Sequence, residues 1–129
     1  MRNIRHHLAA MLGAATLLAA CASGASRVSS SPELRPISLS VTNQNWLVVD
    51  VFVVNGTSRF RLGEVGGNGS ATLSIPVSLL VNGQVQLLAD PVGSNDIFVT
   101  DLFTVAPDEQ VQLTVAPRMR MSSFAVWSR

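Results

Sequence analysis

Residues 37–129 read as a small all-β domain, an immunoglobulin-like or transthyretin-like β-sandwich of seven or eight strands. Three observations predict it. Apolar residues recur with period two along nearly every run after Ile37. Turn dipeptides interrupt those runs at intervals of roughly 8–12 residues. No segment carries the 3.6-residue periodicity of a strong amphipathic helix. About 90 residues can bury a modest core, and a small barrel satisfies the same pattern.

The elements follow in order. Leu39 and Val41 alternate with Ser38, Ser40 and Thr42 in the first strand. Leu47, Val49, Val51 and Val53 share one face of the next run, and Trp46, Val48, Asp50, Phe52 and Val54 the other. Apolar on nearly both faces, this strand belongs in the middle of a sheet. Asn55-Gly56 is a type I′ hairpin signal, because both turn positions need positive φ. Arg59-Phe60-Arg61-Leu62 alternates with its arginines outward, and Gly66-Gly67-Asn68-Gly69 reads as a flexible hairpin connection. Ala71, Leu73 and Ile75 then point inward. Pro76 to Leu80 suits a short helical turn before Asn82-Gly83, a second hairpin signal. Val85, Leu87 and Ala89 form a strand that Asp90-Pro91-Val92-Gly93 breaks. Ile97 to Val105 reads as one strand, and Pro107-Asp108-Glu109 as a turn. Val111, Leu113 and Val115 alternate cleanly with Gln110, Gln112 and Thr114, and a last strand runs through Phe124, Val126 and Trp127.

The N-terminus reads as an address. Met1-Arg2-Asn3-Ile4-Arg5-His6-His7 is a positive n-region, and Leu8 to Ala20 carries no charge. That apolar stretch is shorter than the roughly 20 residues a transmembrane helix needs, and it fits a signal h-region. Leu18-Ala19-Ala20-Cys21 resembles the lipobox of bacterial lipoproteins. The resemblance implies a thioether-linked diacylglyceryl group on Cys21, cleavage before it, and acylation of the new amino group by a chain such as palmitate. It also implies a cell-membrane address, the outer membrane facing the periplasm in a Gram-negative cell, since Ala22 and not Asp follows the cysteine. Two lipid signals suffice for stable attachment. An ordinary secretory signal cut after Ala22 is the competing reading. Residues 1–20 are thus the expected signal peptide, 21–36 the lipidated cysteine and a Ser/Gly-rich tether, and 37–129 the folded domain.

The runs Asn45 to Val54, Arg59-Phe60-Arg61-Leu62-Gly63 and Leu87-Leu88-Ala89-Asp90-Pro91-Val92-Gly93 resemble segments of small uncharacterised envelope lipoproteins of bacteria. The resemblance covers most of the exported domain and implies no activity.

Composition removes most chemistry. After the signal, seven arginines stand against eight carboxylates, a side-chain net of −1, so no basic field draws nucleic acid. Both histidines, His6 and His7, lie in the signal, and Lys and Tyr are absent throughout. A hydrolytic serine therefore lacks its usual base, and zinc lacks its thiolate and imidazole ligands. Asp90, Asp96, Asp101, Asp108 and Glu109 read as solvated turn residues, without the spacing of a calcium loop. The glycines between Gly63 and Gly69 lack the Lys-Ser/Thr and helix of a phosphate loop. Asn55-Gly56-Thr57 and Asn68-Gly69-Ser70 match the glycosylation sequon but read as turns. No catalytic residue, metal or cofactor is expected.

Asp50, mid-strand among apolar residues, requires a partner, and Arg59 or Arg61 across the hairpin can supply it. Trp46 and Trp127 are expected in the core, the usual fate of Trp in a small β-domain; exposed, they would make an aromatic platform for a ligand or partner. Arg118 and Arg120, interleaved with Met119 and Met121, read as a solvated loop or a partner-facing edge. The expected function is a non-enzymatic interaction or structural module at the envelope, with edge strands as the natural partner surface. The alternative is a periplasm-facing binding protein for a small ligand, a glycan or a metal ion.

Overall fold

The structure is a computed structural model, and it describes residues 34–128. The signal segment, Cys21 and the tether up to residue 33 lie outside the described residues. Two β-sheets enclose one apolar core, in agreement with the all-β expectation.

The first sheet holds β1 (Ile37–Asn43), β4 (Ser70–Ile75), β8 (Glu109–Val115) and β9 (Ser123–Ser128) in the order β4-β1-β8-β9. β1 runs parallel to β8 and antiparallel to β4. The second holds β3 (Ser58–Val65), β2 (Val49–Asn55), β5 (Gln84–Pro91) and the two-residue β6 (Phe98–Val99) in that order, and β7 (Phe103–Thr104) also pairs with β5. Period two puts Leu39, Val41, Leu113 and Val115 on the inner side of one sheet and Val49, Val51, Val53, Leu87 and Ala89 on the inner side of the other; all are fully buried. At ~25 cal/mol per Å² of apolar surface, this shared interior is the main stabilising term.

β2 lies between β3 and β5, the central position its two apolar faces predict. The turn of helix after Pro76 is a single 3₁₀ turn at Val77–Leu79. Asn82 and Gly83 both have positive φ, with reciprocal backbone bonds between Val81 and Gln84, as a type I′ turn requires.

Other expectations need correction. The strand through Trp46 starts only at Val49, because residues 44–48 turn a corner between the sheets. Asn55 pairs with Ser58, so the first hairpin loop is Gly56-Thr57; only Gly56 has positive φ, the type II′ requirement. β3 does not alternate to its end: the register slips so that Val51 faces Gly63 and Phe52 faces Arg61, leaving Leu62 as the extra residue of a bulge. The Gly66–Gly69 segment is no hairpin, since β3 and β4 belong to different sheets. β5 continues through Asp90 and the buried Pro91. Ile97–Val105 is β6 and β7, separated at Thr100, whose backbone and hydroxyl both bond Leu87. That break brings the strands among the described residues to nine.

Candidate functional site

The strand directions gather four connections at one end of the sandwich. β1 and β8 run towards that end, as β3 and β5 do, so the segments 44–48, 66–69, 92–97 and 116–122 all leave or enter there. Residues 34–36, which lead into β1, lie at the opposite end.

Two asparagines build the 44–48 corner. The Asn43 Oδ1 accepts from the Asn45 N–H at 2.9 Å, and the Asn45 Oδ1 accepts from the Leu47 N–H at 3.0 Å. These are successive Asx turns, each imitating a backbone turn with a side-chain amide. The Asn43 Nδ2 also donates to the carbonyls of Leu47 (2.8 Å), Gly66 (3.0 Å) and Val65 (3.2 Å), tying β1 to the end of β3. The Asn45 Nδ2 donates to the Pro117 carbonyl at 3.2 Å and lies 3.8 Å from the Met119 sulfur. Both asparagines are buried, and no buried side-chain polar atom among the described residues lacks a partner. Buried and fully satisfied, such a network is rigid. The Asn68 N–H bonds the Asn45 carbonyl, and a Cβ on Gly67 would fall on the Trp46 carbonyl oxygen.

This framework holds Trp46 out in solvent, 75% exposed. The expected core position for Trp46 is wrong: the asparagines fill the corner interior and leave the indole outside. Trp127 is no core residue either. It is 40% exposed, on the outer face of the first sheet opposite Gln110, towards the end where the chain enters.

Arg118 and Arg120 belong to the end that carries Trp46. Their segment makes a 3₁₀ turn at Met119–Met121, closed by the Ala116 N–H on the Ser122 Oγ at 3.0 Å. Met119 is buried, whereas Arg118, Arg120 and Met121 are exposed. A cleft of about 370 Å³ lies here, lined by Asp96, Ile97, Pro117, Arg118, Met119 and Arg120. Among the described residues neither arginine forms an ion pair. The structure therefore groups Trp46, Arg118 and Arg120 on neighbouring connections and sets Trp127 apart.

Asp50 is paired with Arg61, as expected, but on the outer face with its carboxylate part exposed and not enclosed among apolar side chains. The Arg61 Nη2 donates to the Asp50 Oδ1 at 2.7 Å and to the Glu64 Oε2 at 3.1 Å. The bond to Asp50 and that carboxylate's charge raise the Arg61 pKa above its already alkaline value. Among the described residues no group of three His, Cys, Asp or Glu side chains is placed to hold a metal ion. Asn43 escaped the reading of the sequence; the Asn-x-Asn spacing of Asn43 and Asn45 directly after a strand was its signal.

No family model, curated protein or solved structure matches the chain.

Proposed function

We propose that the chain is a bacterial envelope lipoprotein, anchored through acylated Cys21, whose β-sandwich is a non-enzymatic interaction module. Its partner surface is the end carrying Trp46, Arg118 and Arg120. One observation carries this reading: an indole held in solvent by a buried asparagine network, on the end of the domain remote from residues 34–36. Leaving a Trp in water forgoes its large apolar burial, and Trp and Arg are the side chains that dominate binding hot spots. The chain enters β1 at the opposite end, so its own entry does not cover the Trp46 end. In a cell with two membranes the reading puts the domain on the outer membrane, facing the periplasm.

The anchor is tested by fractionation and intact mass of wild-type and Cys21→Ser protein. Wild type is expected in the membrane fraction with the mass of its acyl groups, and the variant outside it without them. Equal behaviour of the two removes the anchor. The surface is tested with a photocrosslinking residue at Gln44, beside Trp46, in intact cells. One discrete envelope-protein adduct is expected, lost in Trp46→Ala while the melting temperature stays within a few degrees. An adduct that survives Trp46→Ala sinks the surface assignment.

A further inference from the structure

The outer face of the first sheet has a composition the core does not require. Strand register places twelve outward residues in three rows across β4, β1, β8 and β9: Ser74-Ser38-Gln110-Trp127, Thr72-Ser40-Gln112-Ala125 and Ser70-Thr42-Thr114-Ser123. None is charged. Five are serines, three threonines and two glutamines. None of these ten side chains hydrogen-bonds within the domain among the described residues. Trp127 ends one row with its ring part exposed.

We infer that this face is a binding site for a neutral polysaccharide chain. The inference concerns a surface separate from the Trp46 end and goes beyond the interaction reading above. Hydroxyls and carboxamides both donate and accept, which matches the hydroxyls of a sugar polymer. A partner without charge meets no ionic group that must be stripped of water on contact. The C–H face of a sugar ring packs on an indole, which offers a flat apolar surface at one end of the row. With ~4.8 Å between strands, a four-strand row spans roughly 14 Å, the length of a short oligosaccharide. An anionic polymer finds no cation on the twelve positions. A charged peptide finds no counter-ion.

Intrinsic fluorescence of the full-length protein in detergent micelles tests this, in a Trp46→Phe background where Trp127 is the remaining tryptophan. Cellohexaose and chitohexaose are the neutral probes, and oligogalacturonate is the anionic control. At least one neutral probe is expected to shift the Trp127 emission saturably, with an affinity unchanged between low and high salt, and oligogalacturonate is expected to leave it unmoved. In Gln110→Ala the affinity should fall about tenfold. Because Trp127→Ala abolishes the fluorescence signal, its binding is read by calorimetry and should fall at least as far. Circular dichroism keeps loss of binding distinct from loss of fold. Absence of response to both neutral probes overturns the proposal, as does binding that survives both substitutions or weakens steeply with salt. Sedimentation that instead reports a dimer broken by Ala125→Lys, without sugar binding, assigns the face and the β9 edge to a second copy and likewise overturns it.

Discussion

The outward sides of the two sheets are built on the same alternating strands, yet they carry different chemistry. On the second sheet, register aligns Glu64 with Asp50 and Asp90, Arg61 with Phe52, Leu88 and Val99, and Arg59 with Val54 and Gln86. Half of those ten positions are charged. The edges are guarded as well: β3 by its bulge and arginines, and the other edge by division into two-residue strands. Both are recognised devices against stray strand pairing. On the first sheet the twelve outward positions are uncharged, and the edge strands β4 and β9 contain neither charge nor proline. Inward residues of the two sheets are interchangeable in kind, so folding alone does not explain the difference. What is peculiar to each outer face is therefore not dictated by the shared core.

The comparison holds only while the sheets remain locked together, and the largest effect expected is on that lock. Asn43 sits on the first sheet and bonds carbonyls at the end of the second. Asn43→Ala strips four hydrogen bonds and removes the side-chain donor from the buried Val65 carbonyl and the part-buried Leu47 and Gly66 carbonyls, where a fully buried group left unpaired costs about 1–3 kcal/mol. Partial access of water to the corner limits the total, and a loss of about 3 kcal/mol is expected. Urea unfolding should show a lower midpoint at an unchanged m-value. A loss below about 1 kcal/mol would mean that the apolar interior, and not the corner, holds the sheets in register.

Two glycines near the same boundary separate close approach to backbone from close approach to a flexible side chain. A Cβ at Gly67 collides with the Trp46 carbonyl, so the corner itself must shift. A Cβ at Gly63 lies 2.8 Å from the Leu73 Cδ2, the far end of a side chain from the opposite sheet. Gly67→Ala is expected to cost about 2 kcal/mol and Gly63→Ala under about 1 kcal/mol, by the same denaturation assay. Reversal of that order would show that Leu73 is locked and the corner is soft.

How far the residues announced this architecture depends on which physical signal each segment carries. Strands with strict alternation, such as Leu39–Val41 and Val111–Val115, were legible because a period of two has one way to bury an apolar set. The two Asn-Gly pairs were legible only as turns. Asn82-Gly83 occupies both loop positions, whereas Asn55-Gly56 straddles the end of β2, and nothing local distinguishes them. Ile97–Val105 hid its break because Thr100 bonds across to Leu87, a contact 13 residues distant. The bulge at Leu62 and the crossing at Gly66–Gly69 depend on which sheet each strand joins, which is set by the whole core. At the candidate site the residue types Trp46, Arg118 and Arg120 were readable and their grouping was not. Average behaviour misplaced Trp46 in the core, since burial of an indole depends on what already fills the corner, here Asn43 and Asn45.

The smallest effect expected sits on the charged face. Arg61 lies between Asp50 and Glu64, and Asp50 is opposed in register by both Glu64 and Asp90, so the arginine offsets a row of carboxylates on three adjacent strands. Its raised pKa, caused first by the hydrogen bond to Asp50, fixes the sign. A base whose folded pKa is raised contributes stability that is fully present below the unfolded value and is lost only as pH climbs through the folded one. For an arginine that window is strongly alkaline, so pH has little leverage through Arg61 near neutrality and salt has more. Exposed pairs of this kind contribute little. Arg61→Ala should therefore lower the melting temperature only slightly at low ionic strength. Added salt should then recover stability in the variant, because screening relieves the carboxylates it leaves facing one another. A control charge on the other sheet, Gln112→Arg, has no such row to answer and should leave the salt dependence of melting unchanged. If both substitutions respond to salt alike, the electrostatic distinction between the two faces has no energetic content.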